Sequence, residues 1–274
     1  YREPVVSDES IRSHNKSLVS RYLARRSPIR PAQAAIPGGS MLVSVVLPAF
    51  NEENYIERCL DALSRQEHPE FDFETIVVDD GSTDQTASIA AGYRARVISG
   101  PRRGVAGARQ TGFEAARGVI IASTDADSAP RPDWLHRLVG HLLTQPECVA
   151  VYGPIRLYDG KGYEDFLSYY LAGSYLYLNA VIQRPAFSGQ NFAVWRHAWL
   201  EAGGFDTHWV SAEDLNLSLK LRRLGRVQFD WRAQVATSSR RVRMGYWPML
   251  SHTVSNYVRV AWLNTTPLPF TDIR

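Results

Sequence analysis

The chain has 274 residues, 45% of them hydrophobic and 11% aromatic, which is enough to bury a large core and argues against disorder over most of the length. The formal net charge is +3, a basic balance too weak to indicate nucleic acid and one that suits an anionic ligand. Cys59 and Cys148 lie in apolar patterns and read as reduced core residues of a cytoplasmic chain, with no secretory signal and no membrane-spanning apolar run of about 20 residues.

Residues 1–40 read as an appendage. Ser7 to Arg26 has the pattern of a basic amphipathic helix, and Ser27 to Ser40 is a linker rich in Pro, Ala and Gly. Two readings of the helix stand: packing on the main domain, or a membrane-surface contact through Arg21, Arg25 and Arg26.

From Met41 the pattern changes. Leu42 to Leu47 is a charge-free, β-branched run, as expected of a strand buried on both faces. Asn51 is expected to cap the next helix, with Glu52 and Glu53 in its first turn. Phe73 to Val78 predicts a second strand, followed by a helix opened by a Ser82–Gln85 capping box and ending near Gly92. Arg96 to Ser99 predicts a third strand, Gly104 to Arg117 a Gly- and Ala-rich helix, and Val119 to Ser123 a fourth strand. A helix carrying Leu135, Leu138, Leu142 and Leu143 follows Pro132, and Val149 to Tyr152 predicts a fifth strand. This alternation is the pattern of an α/β fold with a mostly parallel central sheet and helices on both faces. Ligands bind such sheets beyond the carboxyl ends of the strands.

Those ends carry acids. Glu52 follows the first strand, Asp79, Asp80 and Asp84 the second, and Asp125 and Asp127 the fourth. Clustered carboxylates on one sheet edge are costly unless a cation meets them, and Mg2+ or Mn2+ commonly bridges one or two carboxylates to phosphates. In the second half, Tyr163 to Ile182 is aromatic and apolar, and reads as a helix on the sheet or as a surface facing a lipid-linked acceptor or a bilayer. Glu213 and Asp214 begin a helix bounded by Gly225, although Leu215, Leu217, Leu219 and Leu221 also alternate as in a strand. Arg240, Arg241 and Arg243 follow a predicted strand, and Trp247 to Trp262 forms a C-terminal aromatic amphipathic segment within 241–274.

Val43 to Glu53, Ile76 to Asp84, Gly107 to Gln110 and Thr124 to Asp127 resemble, in order, the motifs of family 2 glycosyltransferases. The resemblance covers roughly residues 42–240. It implies a GT-A catalytic domain over 41–240, with a Rossmann-like nucleotide-sugar half at 41–152 and an acceptor half at 153–240. The implied reaction is transfer of a sugar from a nucleotide diphosphate, with UDP as the leading donor, to a saccharide or lipid-linked hydroxyl with inversion. Pro48, Phe50, Glu52, Asp79, Asp80, Arg103, Arg109, Asp125 and Arg241 would meet the nucleotide sugar. Asp127 would bind Mn2+ or Mg2+ directly, and Asp125 would contact ribose or a metal water. Gly189, Gln190 and Asn191 would face the acceptor, Asp214 would be the general base, and Glu213 would position the acceptor or its neighbour. Gln110 departs from the commoner Asn. The implied setting is the cytoplasm, with peripheral contact at the inner face of the membrane and no nucleic-acid partner. Two other readings make different demands on the sequence. A nucleotidyltransferase would need a Gly-rich phosphate loop where Pro48 to Glu53 stands, and a binding-only relative would be expected to lack Asp127 or Asp214.

Overall fold

The computed structural model describes residues 41–67, 70–101, 104–209, 211–240, 246–263 and 265–268. The expectations for residues 1–40 and for Arg103, Arg241 and Arg243 lie outside the described residues.

In chain order the strands are β1 (Met41–Ala49), β2 (Phe71–Asp79), β3 (Arg96–Ser99), β4 (Ile120–Ser123), β5 (Ser128–Pro130), β6 (Cys148–Tyr152), β7 (Ile155–Leu157), β8 (Phe192–Trp195), β9 (Arg226–Phe229) and β10 (Val235–Thr237). The helices are α1 (Ile56–Ser64), α2 (Thr86–Gly92), α3 (Gly104–Ala115), α4 (Trp134–Thr144), α5 (Gly162–Phe166), α6 (Gly173–Val181), α7 (Arg196–Glu201), α8 (Glu213–Arg222) and α9 (Tyr246–Tyr257). A π-helical stretch, Leu167–Ala172, joins α5 to α6, and a second, Val258–Trp262, extends α9.

The main sheet has the order β3-β2-β1-β4-β8-β6-β9. β1 pairs in parallel with β2 and β4, so their carboxyl ends share one edge. β8 runs antiparallel between β4 and β6, which ties the expected donor and acceptor halves into a single sheet. A small second sheet has the order β5-β10-β7, with β5 a short strand that no apolar run in the sequence marks.

The burial of β1 follows from its two covered faces. Val43, Val45 and Leu47 pack with Ile56, Leu60 and Leu63 of α1 and with Trp134, Leu135 and Leu138 of α4. Val46, one residue out of phase, packs on the other face with Ile76, Val78, Ala108, Phe113, Leu217 and Leu221. The two-residue alternation of a strand therefore feeds two cores, as expected for a sheet sandwiched between helices. Gly112 lets α3 sit against the sheet, because a Cβ there would overlap the Val46 side chain and lie 2.8 Å from Val78.

The expected helix caps differ from those observed. Asn51 lies in the left-handed region (φ 54°), well before the first residue of α1, and its Oδ1 accepts the Thr83 N–H at 2.8 Å. Ser82 accepts the Asn51 N–H at 2.9 Å rather than forming a capping box with Gln85. Thr86 accepts the Glu52 N–H at 2.8 Å, Asp84 accepts the Glu53 N–H at 3.1 Å, and Glu53 accepts the Gln85 N–H at 3.1 Å. The polar residues that look like helix caps instead zip the β1–α1 and β2–α2 loops together, which fixes Glu52 relative to Asp79.

Candidate active site

The donor-side positions are held at three strand ends. Pro48 is buried within β1, opposite Val78, and Phe50 is half-buried just beyond it. Asp79 ends β2 half-buried and accepts the Ser82 N–H at 3.0 Å. Asp80 is buried, and its Oδ2 accepts the Gly104 N–H at 3.0 Å, at the start of α3. The two adjacent acids thus sit differently: Asp80 anchors a helix N-terminus, where negative charge is favoured, while Asp79 remains the more accessible carboxylate.

Asp125 and Asp127 meet different arginines. Asp127 Oδ2 lies 2.9 Å from the Arg240 guanidinium, and its Oδ1 accepts the Thr237 hydroxyl at 3.2 Å. Arg240 also forks onto both Glu52 oxygens at 2.8 and 2.5 Å and lies 4.9 Å above the Tyr55 ring. Burial raises the Glu52 carboxyl above its ordinary value, against the opposing hydrogen bond and charge of Arg240. The Asp125 carboxylate instead accepts from Arg109 at 2.6 Å. The other terminal nitrogen of Arg109 donates to Glu213 at 2.5 Å.

Arg109 is 3% exposed. Burial alone would lower its pKa, but Asp125, Glu213 and Asp214 hold it above its ordinary value. The expectation that Arg109 faces the donor diphosphate is therefore not what the geometry shows. Its guanidinium is enclosed between the carboxylates of Asp125 and Glu213.

On the acceptor side, Ala212 takes the left-handed conformation (φ 55°) just before α8. That turn, unusual for a residue with a Cβ, opens the helix, and the roughly 100° between consecutive helical residues gives the two acids different surroundings. Glu213 is buried against Arg109. Burial first, then the neighbouring Asp214, push its carboxyl up to about 7. Asp214 is half-buried and accepts the Gly189 N–H on Oδ2 at 2.7 Å. Gln190 accepts the Ser128 hydroxyl at 3.2 Å, one residue beyond Asp127. Asn191 is fully buried: its Oδ1 accepts the Trp134 indole N–H at 2.8 Å, and its amide nitrogen donates to Pro154 and Ala233 carbonyls at 2.9 Å each. The Asn191 amide is thereby committed to the interior rather than to an acceptor surface.

Arg240 thus joins Glu52 to Asp127, Arg109 joins Asp125 to Glu213, Gly189 meets Asp214, and the short segment 125–127 carries one acid of each arginine pair. Thr237 joins the site from a distant chain segment, 110 residues beyond Asp127, whereas Tyr55 comes from the same β1–α1 connection as Glu52. The donor set suits a hard divalent ion that takes its remaining ligands from phosphate and water. Asp127 offers a carboxylate, and no group of three or more His, Cys, Asp or Glu ligands gathers among the described residues.

The sequence profile described as "Glycosyl transferase family 2" matches residues 44–203. Chondroitin synthase from Pasteurella multocida is 26% identical over 236 residues, 81% of this chain and 24% of that protein. Glycosyltransferase AglE from Haloferax volcanii is 38% identical over 101 residues, 35% of this chain and 33% of that protein. The chain thus spans a third or less of the length of these relatives. Among solved structures, the mannosyltransferase PcManGT from Pyrobaculum calidifontis, in complex with GDP-Man and Mn2+, aligns with a TM-score of 0.63 at 24% identity, covering 93% of this chain and 73% of that one. The glucosyl-3-phosphoglycerate synthase of Mycobacterium tuberculosis, in complex with Mn2+, UDP and glucosyl-3-phosphoglycerate, gives 0.58 at 23%, covering 95% and 86%. These likenesses carry the GT-A-type fold. By the profile match over more than half its length, the chain belongs to glycosyl transferase family 2.

Proposed function

We propose that the protein transfers a sugar, with inversion, from a UDP-sugar to a hydroxyl of a saccharide or lipid-linked acceptor, with Asp214 as general base. The observation that carries this reading is that Arg240 joins Glu52 to Asp127 while Arg109 joins Asp125 to Glu213, so the 125–127 segment is tied to the end of β1 on one side and to α8 on the other. Asp79, at the end of β2, is the accessible carboxylate for the nucleoside. A bound Mn2+ or Mg2+ would supply Lewis-acid stabilisation of the departing diphosphate, held by Asp127 with Asp125 at one remove. Arg240 is the described arginine closest to this role, being 28% exposed and already paired with Asp127 and Glu52.

In a single displacement the acceptor oxygen bonds to the anomeric carbon as the bond to the diphosphate oxygen breaks, and the hydroxyl proton passes to Asp214. Asp214 suits this better than Glu213, because Glu213 is enclosed against Arg109 while Asp214 stays partly open. The test is release of nucleoside diphosphate from pooled sugar nucleotides with Mn2+. No release with any donor, under conditions where the protein is folded, defeats the reading. Asp127→Ala should remove the Mn2+-dependent part of the thermal stabilisation by UDP.

The proposal includes peripheral contact with a bilayer. Of the fifteen exposed large hydrophobic side chains among the described residues, thirteen lie on 163–182 and 254–268, including Phe166, Leu178 and Trp262, so the exposure is concentrated rather than scattered. Arg184 stacks on Trp262 at 4.1 Å, and tyrosines, tryptophan and arginine together suit a headgroup interface. No helix among the described residues is long and apolar enough to cross a membrane. Flotation with vesicles of phosphatidylcholine, with and without phosphatidylglycerol, should be lost in a Phe166→Ser/Leu178→Ser/Trp262→Ser variant. A lipid-independent dimer held by this face would overturn the membrane assignment.

A further inference from the structure

We propose that Arg109 is a positioning residue that sets the acceptor-side carboxylates of α8 relative to the donor-side segment after β4; this inference rests on the transferase reading. Asp125 and Glu213 come from elements far apart in sequence, and one guanidinium meets both, at 2.6 and 2.5 Å. Arg109 is as buried as its partners allow, with side-chain exposure of 4%, against 16% for Asp125 and 5% for Glu213. Its Nε has no hydrogen-bond partner, so the group is held through its two terminal nitrogens alone.

A third contact brings in the base. Gly189 lies directly against the guanidinium, where a Cβ would overlap the Cζ and both terminal nitrogens. The same glycine donates its N–H to Asp214 Oδ2 at 2.7 Å. Arg109 therefore fixes Glu213 by an ion pair and supports the backbone group that orients Asp214. The two arginines of the site also differ in kind. Arg240 is 28% exposed at the cleft, whereas Arg109 is enclosed and has no room to turn towards a phosphate. Lysine cannot replace it, because an ammonium is a point charge and lacks the planar fork that reaches two carboxylates at once.

The experiment compares Arg109→Lys, Asp125→Asn, Glu213→Gln and their combinations in the transfer assay, with UDP and Mn2+ thermal stabilisation measured in parallel. Arg109→Lys should lower kcat by more than tenfold while the donor KM moves by less than about threefold. With Arg109 present, the effects of Asp125→Asn and Glu213→Gln on kcat should be strongly non-additive. In the Arg109→Lys background they should multiply independently, a change that a merely structural role would not produce. Gly189→Ala displaces the guanidinium without removing a charge and should reproduce the kcat loss, which keeps the test open if Arg109→Lys folds poorly. An Arg109→Lys kcat within twofold of the wild type, or independent effects in both backgrounds, overturns the assignment of Arg109 alone. A folded wild type that releases no nucleoside diphosphate overturns the transferase reading and this inference with it.

Discussion

Asp214 and Asn191 show how residues near one another in the site divide between chemistry and scaffold. Asp214, the proposed base, is half-buried beside Gly189. Asp214→Asn keeps the shape and loses the basicity. Transfer should fall by about 10²–10⁴-fold, the usual contribution of a general base, while UDP and Mn2+ still raise the melting temperature. Asn191 makes three hydrogen bonds in the interior, joining α4 to the carbonyls of Pro154 and Ala233. Asn191→Ala strands a buried indole N–H and takes a donor from two carbonyls, and should cost about 3 kcal/mol in urea unfolding. If Asn191→Ala instead leaves stability unchanged and raises the acceptor KM, the amide faces substrate after all.

Among the elements, α3 does the most to bring the halves together. It starts on Asp80, carries Arg109 in its interior, and lies against β1 and β2 through Gly112. A methyl at Gly112 would overlap the Val46 side chain, so Gly112→Ala must lift the helix off the sheet. The expected cost is about 1–3 kcal/mol, and because Arg109 moves with the helix, kcat should drop as well. Loss of stability with kcat untouched would mean that α3 shifts without carrying Arg109. The loop pair after β1 and β2 behaves as one element, since Asn51, Glu52 and Glu53 are each hydrogen-bonded to residues 82–86.

For the whole molecule, buried and paired acids give stability a shape in pH. Asp165 is held below its ordinary 3.8 by its hydrogen bond from Arg156. Asp133 and Asp230 are also lowered: burial opposes this, but their bonds from Arg137 and His141 prevail. Depressed carboxylates bind fewer protons folded than unfolded, so their stabilisation is complete above the unfolded pKa and is lost as pH falls through the folded values. Glu213, pushed up from 4.5 to about 7, works in the opposite sense and favours the fold as pH falls from about 7 towards 4.5. On these groups urea midpoints should therefore rise as pH falls from about 7, peak near about pH 4.5 and decline below about 4. A midpoint still rising at pH 3 would contradict these assignments.

Apart from β5, the order of strands and helices through residue 152 was legible in the sequence, as was the start of α8 at Glu213. Apolar periodicity and turn chemistry act over a few residues and survive without the rest of the chain. Placing Glu52, Asp79 and Asp125 at strand ends was legible for the same reason. Only the folded chain decided which cation meets which acid. Arg240 reaches Glu52 across 188 residues, and Arg109 reaches Glu213 across 104. It also decided that Asp80 anchors α3 and that Asn191 turns inward. Such pairings depend on where distant segments are carried by the packing of both sheet faces, and no local spacing encodes that path.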